Sequence, residues 1–220
     1  AANIVNANVQ QALLSRGAGA AYANNSTLSY VATFAASNDL STAQSNDAYF
    51  QAAIALNSTK QVSFSSIKAR LRTSNAKSVK NYKWFYSLDN INYVEVAATN
   101  TSIGFTDTQG EVQPEVNLKG ITALKNLTGN TTVFFRVYAW GADASGTTSE
   151  RGFGFGKGES NVAGRTVLTF TGTLSETLQT LPVNGLTFSG RASKGSVLLK
   201  WSTATEKDNA KFEVLRSKDG

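Results

Sequence analysis

Apolar and polar residues alternate at a spacing of two along most of this chain, and no stretch keeps the spacing of an amphipathic helix. The cleanest run is residues 81–96. In its first arm Tyr82, Trp84 and Tyr86 fall on one face, and Lys83, Phe85 and Ser87 on the other. Leu88, Asp89, Asn90, Ile91 and Asn92 then supply turn chemistry, because Asp and Asn side chains bond nearby backbone and tolerate left-handed geometry. Tyr93, Val94, Glu95 and Val96 begin a return arm. The pattern predicts a β-hairpin whose aromatic face needs a facing sheet to cover it.

The rest of the chain supplies strands for that sheet. Ile4, Val5 and Val9 mark the start of an edge strand, and Leu13 and Leu14 precede a glycine turn. Residues 29–35 alternate. Residues 48–56 carry alanines that suit a helix, but the Tyr49–Phe50 pair and the flanking turns favour a strand. Loop signals surround them at Ser37, Asn38, Asp39 and Leu40 and at Ser45, Asn46 and Asp47. In residues 62–72, Ile67, Ala69 and Leu71 point inward, and Lys68, Arg70 and Arg72 outward. Residues 116–124 read as a short strand and turn, and Ser102 to Phe105 as a segment touching the sheet. Residues 133–141 form a second strong strand, with Phe135, Val137 and Ala139 on its apolar face. Residues 152–156 and 162–172 supply the last strands. Many short strands with polar turns argue for an all-β, antiparallel sandwich over residues 1–175.

Residues 176–185 read as a linker. Three alternating strands follow in residues 186–220, too few to close a sandwich alone. They read as the first strands of a second, truncated β-sandwich.

Composition narrows the function. Apolar residues make up 41% of the chain, enough for a core, and charged residues only 16%, against about a quarter in an average domain. Abundant Asn, Ser, Thr and Gly suit an extracellular β protein. Cysteine and histidine are both absent. That excludes disulfides, thiolate chemistry, Cys/His zinc sites, histidine-ligated haem and any Ser-His-Asp or Cys-His triad. The net charge of +6 is spread without a dense basic block, which argues against a nucleic-acid partner. No apolar run reaches the length of a membrane span. With no methionine, Ala1 reads as a processed or trimmed start, in keeping with export.

One segment resembles a piece found in many exported Bacteroidetes proteins. It comprises Leu181-Pro182-Val183, Phe188, Leu198-Leu199-Lys200-Trp201, Thr203-Ala204-Thr205-Glu206, Phe212-Glu213-Val214, Arg216-Ser217 and Asp219-Gly220. The resemblance implies the start of an immunoglobulin- or fibronectin-type-III-like domain, such as often precedes the sorting domain of the type IX secretion system. It implies a secreted or outer-membrane surface-attached protein. The first 175 residues are similar to a jelly-roll-type module that accompanies such tails. The resemblance rests on Leu14 to Gly19, Ser66 to Ser74, Tyr86 to Asp89 and Phe135 to Ala142, and carries no catalytic motif.

Candidate chemistry is sparse. Arg136, Tyr138 and Trp140 point away from the apolar face of their strand, as Phe85 does from its own. Such residues serve either as ligand contacts, stacking on sugar rings and bonding hydroxyls, or as packing and subunit contacts. Lys68, Arg70 and Arg72 form a basic row that suits either solvent or an acidic polysaccharide. Asp39, Asp47, Asp89, Asp107, Glu111 and Asp143 sit in turns. Paired acids can serve a glycosidase and oxygen ligands a structural Ca²⁺, but no Asp-x-Asp-x-Asp cluster occurs, and no cofactor is expected. The Gly152 to Gly158 run lacks a phosphate loop's ending. It reads as a strand that another backbone approaches closely. The expectation is a non-enzymatic surface or extracellular protein with a structural or adhesive role, partnered by itself or by matrix proteins. The alternatives are a carbohydrate-binding module and an accessory domain of a larger secreted enzyme.

Overall fold

Among the described residues the first unit has thirteen strands in two facing sheets, and the longer ones, residues 49–56 and 61–73 above all, alternate buried side chains with more exposed ones. The computed structural model describes residues 6–22, 29–57, 59–97, 101–104, 109–156, 166–175, 185–205 and 213–214. The chain divides into two compact units, Ala1–Glu176 and Thr177–Gly220. In the first, the strands are β1 (Val9–Arg16), β2 (Ala20–Tyr22), β3 (Tyr30–Phe34), β4 (Tyr49–Leu56), β5 (Gln61–Thr73), β6 (Asn81–Ser87) and β7 (Val94–Glu95). They continue with β8 (Thr101–Ser102), β9 (Glu111–Val112), β10 (Val116–Asn117), β11 (Thr132–Trp140), β12 (Gly152–Phe155) and β13 (Leu168–Ser175). One sheet runs β1-β4-β11-β6-β7, with β8 also on β6. The other runs β10-β5-β12-β3-β2, with β9 and β13 also on β5. Every strand pairing is antiparallel. The fold is an all-β sandwich.

The inward rows follow the sequence alternation. Phe50, Ala52, Ile54 and Leu56 of β4, Val133, Phe135, Val137 and Ala139 of β11, and Tyr82, Trp84 and Tyr86 of β6 are all buried. They meet β5, β12, β3 and β13 through aromatic contacts. Phe50 lies 5.5 Å from the ring centroids of both Tyr30 and Phe155, and 5.8 Å from Phe34. Phe135 lies 5.4 Å from Phe64 and 4.8 Å from Phe170.

β5 holds both halves of its sheet by changing frame once. Val62 and Phe64 face the core before the change, and Ile67, Ala69 and Leu71 after it. Thr171 pairs with Ser66 but Gly172 with Phe64, so Ser65 is the extra residue of a β-bulge. Without that residue one half of the apolar set would face outward. Gly154 shows the close approach expected of the Gly-Phe run: a Cβ there would lie 2.2 Å from the Tyr30 carbonyl oxygen.

Two local features differ from the sequence expectation. Residues 40–45 form a short helix, α1 (Leu40–Ser45), because the Asp39 carboxylate caps it by accepting from the Thr42 amide at 2.7 Å. The short strand and turn expected at 116–124 are β10 and a single 3₁₀ turn, Thr122–Leu124, that buries Leu124. The hairpin's return arm is in strand register only at Val94 and Glu95, with the Val96 amide also donating to the Trp84 carbonyl at 3.0 Å.

In the second unit, β14 (Thr187–Ser193) and β15 (Ser196–Ser202) form a hairpin. Lys194 and Gly195 both have positive φ, 42° and 83°, the geometry of a two-residue type I′ turn. Phe188, Val197 and Trp201 are 61%, 65% and 42% exposed. Glu213 and Val214 are not in a strand. The rest of the expected third strand, most of the 176–185 linker, and Ile4, Val5, Phe105, Asp107 and residues 162–165 lie outside the described residues. Among the described residues no helix is long and apolar enough to cross a membrane, a statement that concerns helices alone.

Candidate functional site

The outer face of the first sheet carries a polar and aromatic cluster built by strand register. One rung runs Ser15–Gln51–Arg136–Phe85–Glu95 across β1, β4, β11, β6 and β7. The next runs Tyr49–Tyr138–Lys83. Neighbouring rungs place Tyr49 and Gln51 beside Arg136 and Tyr138, residues far apart in the chain.

The turn between β6 and β7 closes over this cluster. Asp89 Oδ1 accepts from the amides of Ile91 and Asn92, each at 2.8 Å, and Asn92 Nδ2 donates to Asp89 Oδ2 at 2.7 Å. Asn90 adopts a left-handed φ of 61°. The bond from the Asn92 side chain, with the backbone amides, holds the Asp89 carboxyl well below the usual carboxylate range. The turn directs Tyr93 back onto the sheet.

Arg136 is therefore held on every side. Its guanidinium carbon lies 3.9 Å from the ring centroids of both Tyr49 and Tyr93, a two-sided cation–π stack. Arg136 Nε donates to Gln51 Oε1 at 2.7 Å, and Nη1 to the Tyr138 hydroxyl at 3.1 Å. The Tyr93 hydroxyl reaches Gln51 Oε1 at 2.8 Å and Asn90 Oδ1 at 2.6 Å. Tyr138 meets the rings of Tyr49 and Phe85, each at 5.3 Å. Lys83, only 6% exposed, lies 2.7 Å from the Glu95 carboxylate.

The sequence candidates fall in different places. Phe85, Tyr138 and Trp140 are 3%, 4% and 4% exposed, so the chain's own residues cover their rings and they present no stacking platform. Arg136 is half-buried, with its charge engaged by tyrosines. In the basic row only Lys68 is exposed, facing Glu115 at 3.4 Å. Arg70 donates to the Gly110 carbonyl and Arg72 to Ser29 Oγ at 3.0 Å. Those two hold neighbouring loops to the sheet, which corrects the picture of a wholly solvated row.

The candidate acids mostly serve the backbone. Asp39 caps α1, Asp89 builds the hairpin turn, and Asp143 accepts from the Ser145 amide at 2.8 Å. Among the described residues no three Asp or Glu side chains cluster as metal ligands would. Tyr49, Gln51 and Tyr93 escaped the sequence reading. Tyr49 and Gln51 were visible as the outward positions of β4, but their placement beside Arg136 depends on sheet order.

Burial pushes the Tyr93 phenol up to about 12, against the opposing pull of Arg136. A raised phenol favours the neutral, folded form. The stability it contributes is complete below the ordinary phenol value of about 10 and is lost as pH rises through about 12. Burial also raises Tyr49 and Tyr82, so titration by phenolate absorbance is expected to show several late-ionising tyrosines, one of which disappears in Tyr93→Phe. A variant that instead loses a tyrosine ionising near the ordinary value of about 10 would place the loop off the sheet.

One further feature lies at the sandwich's open side. The segment entering β1 and the second half of β13 line an apolar cleft with Leu56, Val62 and Phe64 at its floor. β1 and β13 are edge strands among the described residues. Compared with known proteins, the chain matches no family model, no curated protein and no solved structure.

Proposed function

We propose that this chain is a non-enzymatic surface or extracellular module with a structural or adhesive role, contacting other subunits or matrix through its sheet edges. The observation that carries this reading is the pair of edge strands, β1 and β13, meeting around one apolar cleft. β13 has no charge and no proline, the residues with which edge strands usually block pairing. β1 has one charge, Arg16, and it is turned onto the Tyr30 ring at 4.4 Å. An edge of this kind offers a row of backbone donors and acceptors to another chain.

In the same reading the chain is exported, its first unit is a jelly-roll-type module, and its second begins a fibronectin-type-III-like domain. The Bacteroidetes-like motif run supports that assignment. The exposed Phe188 and Trp201 fit a domain face that further strands cover. The carbohydrate-binding alternative now rests on the half-buried Tyr49, Gln51, Tyr93 and Arg136, since the deeper aromatics are covered.

The test is the mass of the native particle, by light scattering with electron microscopy at near-physiological salt. Assemblies heavier than one chain are expected. A monomer at every accessible concentration would remove the self-association reading.

A further inference from the structure

β13 reads nearly the same in both directions. About Thr171, Leu168 mirrors Leu174, Thr169 mirrors Thr173, and Phe170 mirrors Gly172. Antiparallel pairing has this mirror relation, because moving forward along one strand moves backward along the other. A strand of this kind is complementary to itself.

Its faces are also matched for such a pairing. Phe170 stacks on Phe135 at 4.8 Å, so Leu168, Phe170, Gly172 and Leu174 lie on the core side. Thr171 Oγ1 meets Ser66 Oγ at 2.7 Å on the outer side, the side that Thr169 and Thr173 share. One edge of β13 bonds to β5; the other has no partner strand among the described residues. From Gly172 to Ser175 the strand is exposed, with Leu174 42% exposed.

We propose that the free edge of β13 pairs antiparallel with β13 of a second copy, about a two-fold axis at Thr171. Leucine then opposes leucine on the core side, and threonine opposes threonine on the outer side. Phe170 lies opposite Gly172, where a ring beside a position without a side chain is a favourable cross-strand pair. A two-fold contact closes on itself, so the product is a dimer whose second sheet runs on from one copy into the next. The proposal rests on the subunit-contact reading above and narrows it to one edge and one register.

The natural chain contains no cysteine, so single introduced thiols report cleanly. In this register Thr171 faces itself, at the roughly 4.5–5.5 Å Cα separation of an antiparallel pair, within disulfide reach. Thr171→Cys is expected to oxidise to a covalent dimer about a hundredfold faster than Thr169→Cys at equal micromolar concentration, given the high effective concentration inside a complex. Mixing Thr169→Cys with Thr173→Cys is expected to restore fast cross-linking, between unlike variants. Thr173→Lys, at an exposed position, is expected to halve the particle mass while leaving circular dichroism unchanged. Equally slow cross-linking at positions 171 and 169 overturns the proposal. If the particle is then still larger than one chain, this edge fails and the subunit-contact reading stands. A natural chain that stays monomeric overturns both.

Discussion

Replacing Phe50 with alanine is expected to lower stability by about 3–5 kcal/mol. The change should appear as a lower urea midpoint at an unchanged slope. Phe50 is 1% exposed, and its ring meets Tyr30, Phe34, Phe153 and Phe155 at 5.5, 5.8, 6.3 and 5.5 Å. Those four come from β3 and β12, so one side chain from the first sheet holds together two strands of the second. Alanine would leave a cavity walled by rigid rings, which collapse poorly onto lost volume. Tyr49 is the control. One residue earlier, it lies on the outer face, half-buried, and stacks on Arg136. Tyr49→Ala should cost only about 1–2 kcal/mol, the scale of a desolvated cation–π contact. Equal losses at the two positions would mean that β4 does not present Phe50 to the core.

The second large effect is expected at Gly154, where alanine should cost about 3 kcal/mol or more. A Cβ there would lie 2.2 Å from the Tyr30 carbonyl oxygen and 2.7 Å from Val31 Cα. Both obstacles are backbone, so no side chain can swing aside. Gly154 pairs with Val31 on one edge and with Arg72 on the other. Relief of the clash must part β12 from β3, and Phe153 and Phe155 would move with it. Gly120 is exposed and has nothing within 4 Å of its Cβ position. Gly120→Ala should stay within about 0.5 kcal/mol of the natural chain. If Gly154→Ala behaves like Gly120→Ala, the strands are not packed as closely as described.

Sandwich architecture was legible because a half-buried strand writes its faces at period two. Tyr82, Trp84 and Tyr86 announced their burial this way, and Asp89 announced its turn through the chemistry of its own side chain. α1 was not legible as a helix: six residues are too few to show a 3.6-residue rhythm. Its one signal was Asp39, which suits a cap and a loop equally. The bulge at Ser65 left a trace, since Val62 and Phe64 keep one frame and Ile67, Ala69 and Leu71 the other. Such a frame change at a serine pair is a signal that can be sought. The outer cluster was half legible. Alternation put Arg136 and Tyr138 on one side of β11, but the neighbours that cover them come from β4 and from the turn after β6. Lateral order β1-β4-β11-β6 is not chain order, and no periodicity within a strand encodes it.

The position of β5 has a consequence for the order in which the chain becomes native. Among the described residues all its strand partners, β9, β10, β12 and β13, follow it in sequence, as does Leu127, which bridges to Val62. β5 emerges from the ribosome about a hundred residues before β13. Until residues 111–117 emerge β5 has none of these strand partners, and until residues 132–140 emerge β4 has only β1 beside it. Closing so distant a pairing is slow compared with forming a hairpin. The nascent chain therefore carries the first half of β5, with Val62 and Phe64, without its longest strand partner until residues 168–175 arrive, and it is during this interval that a holding chaperone would find its binding site.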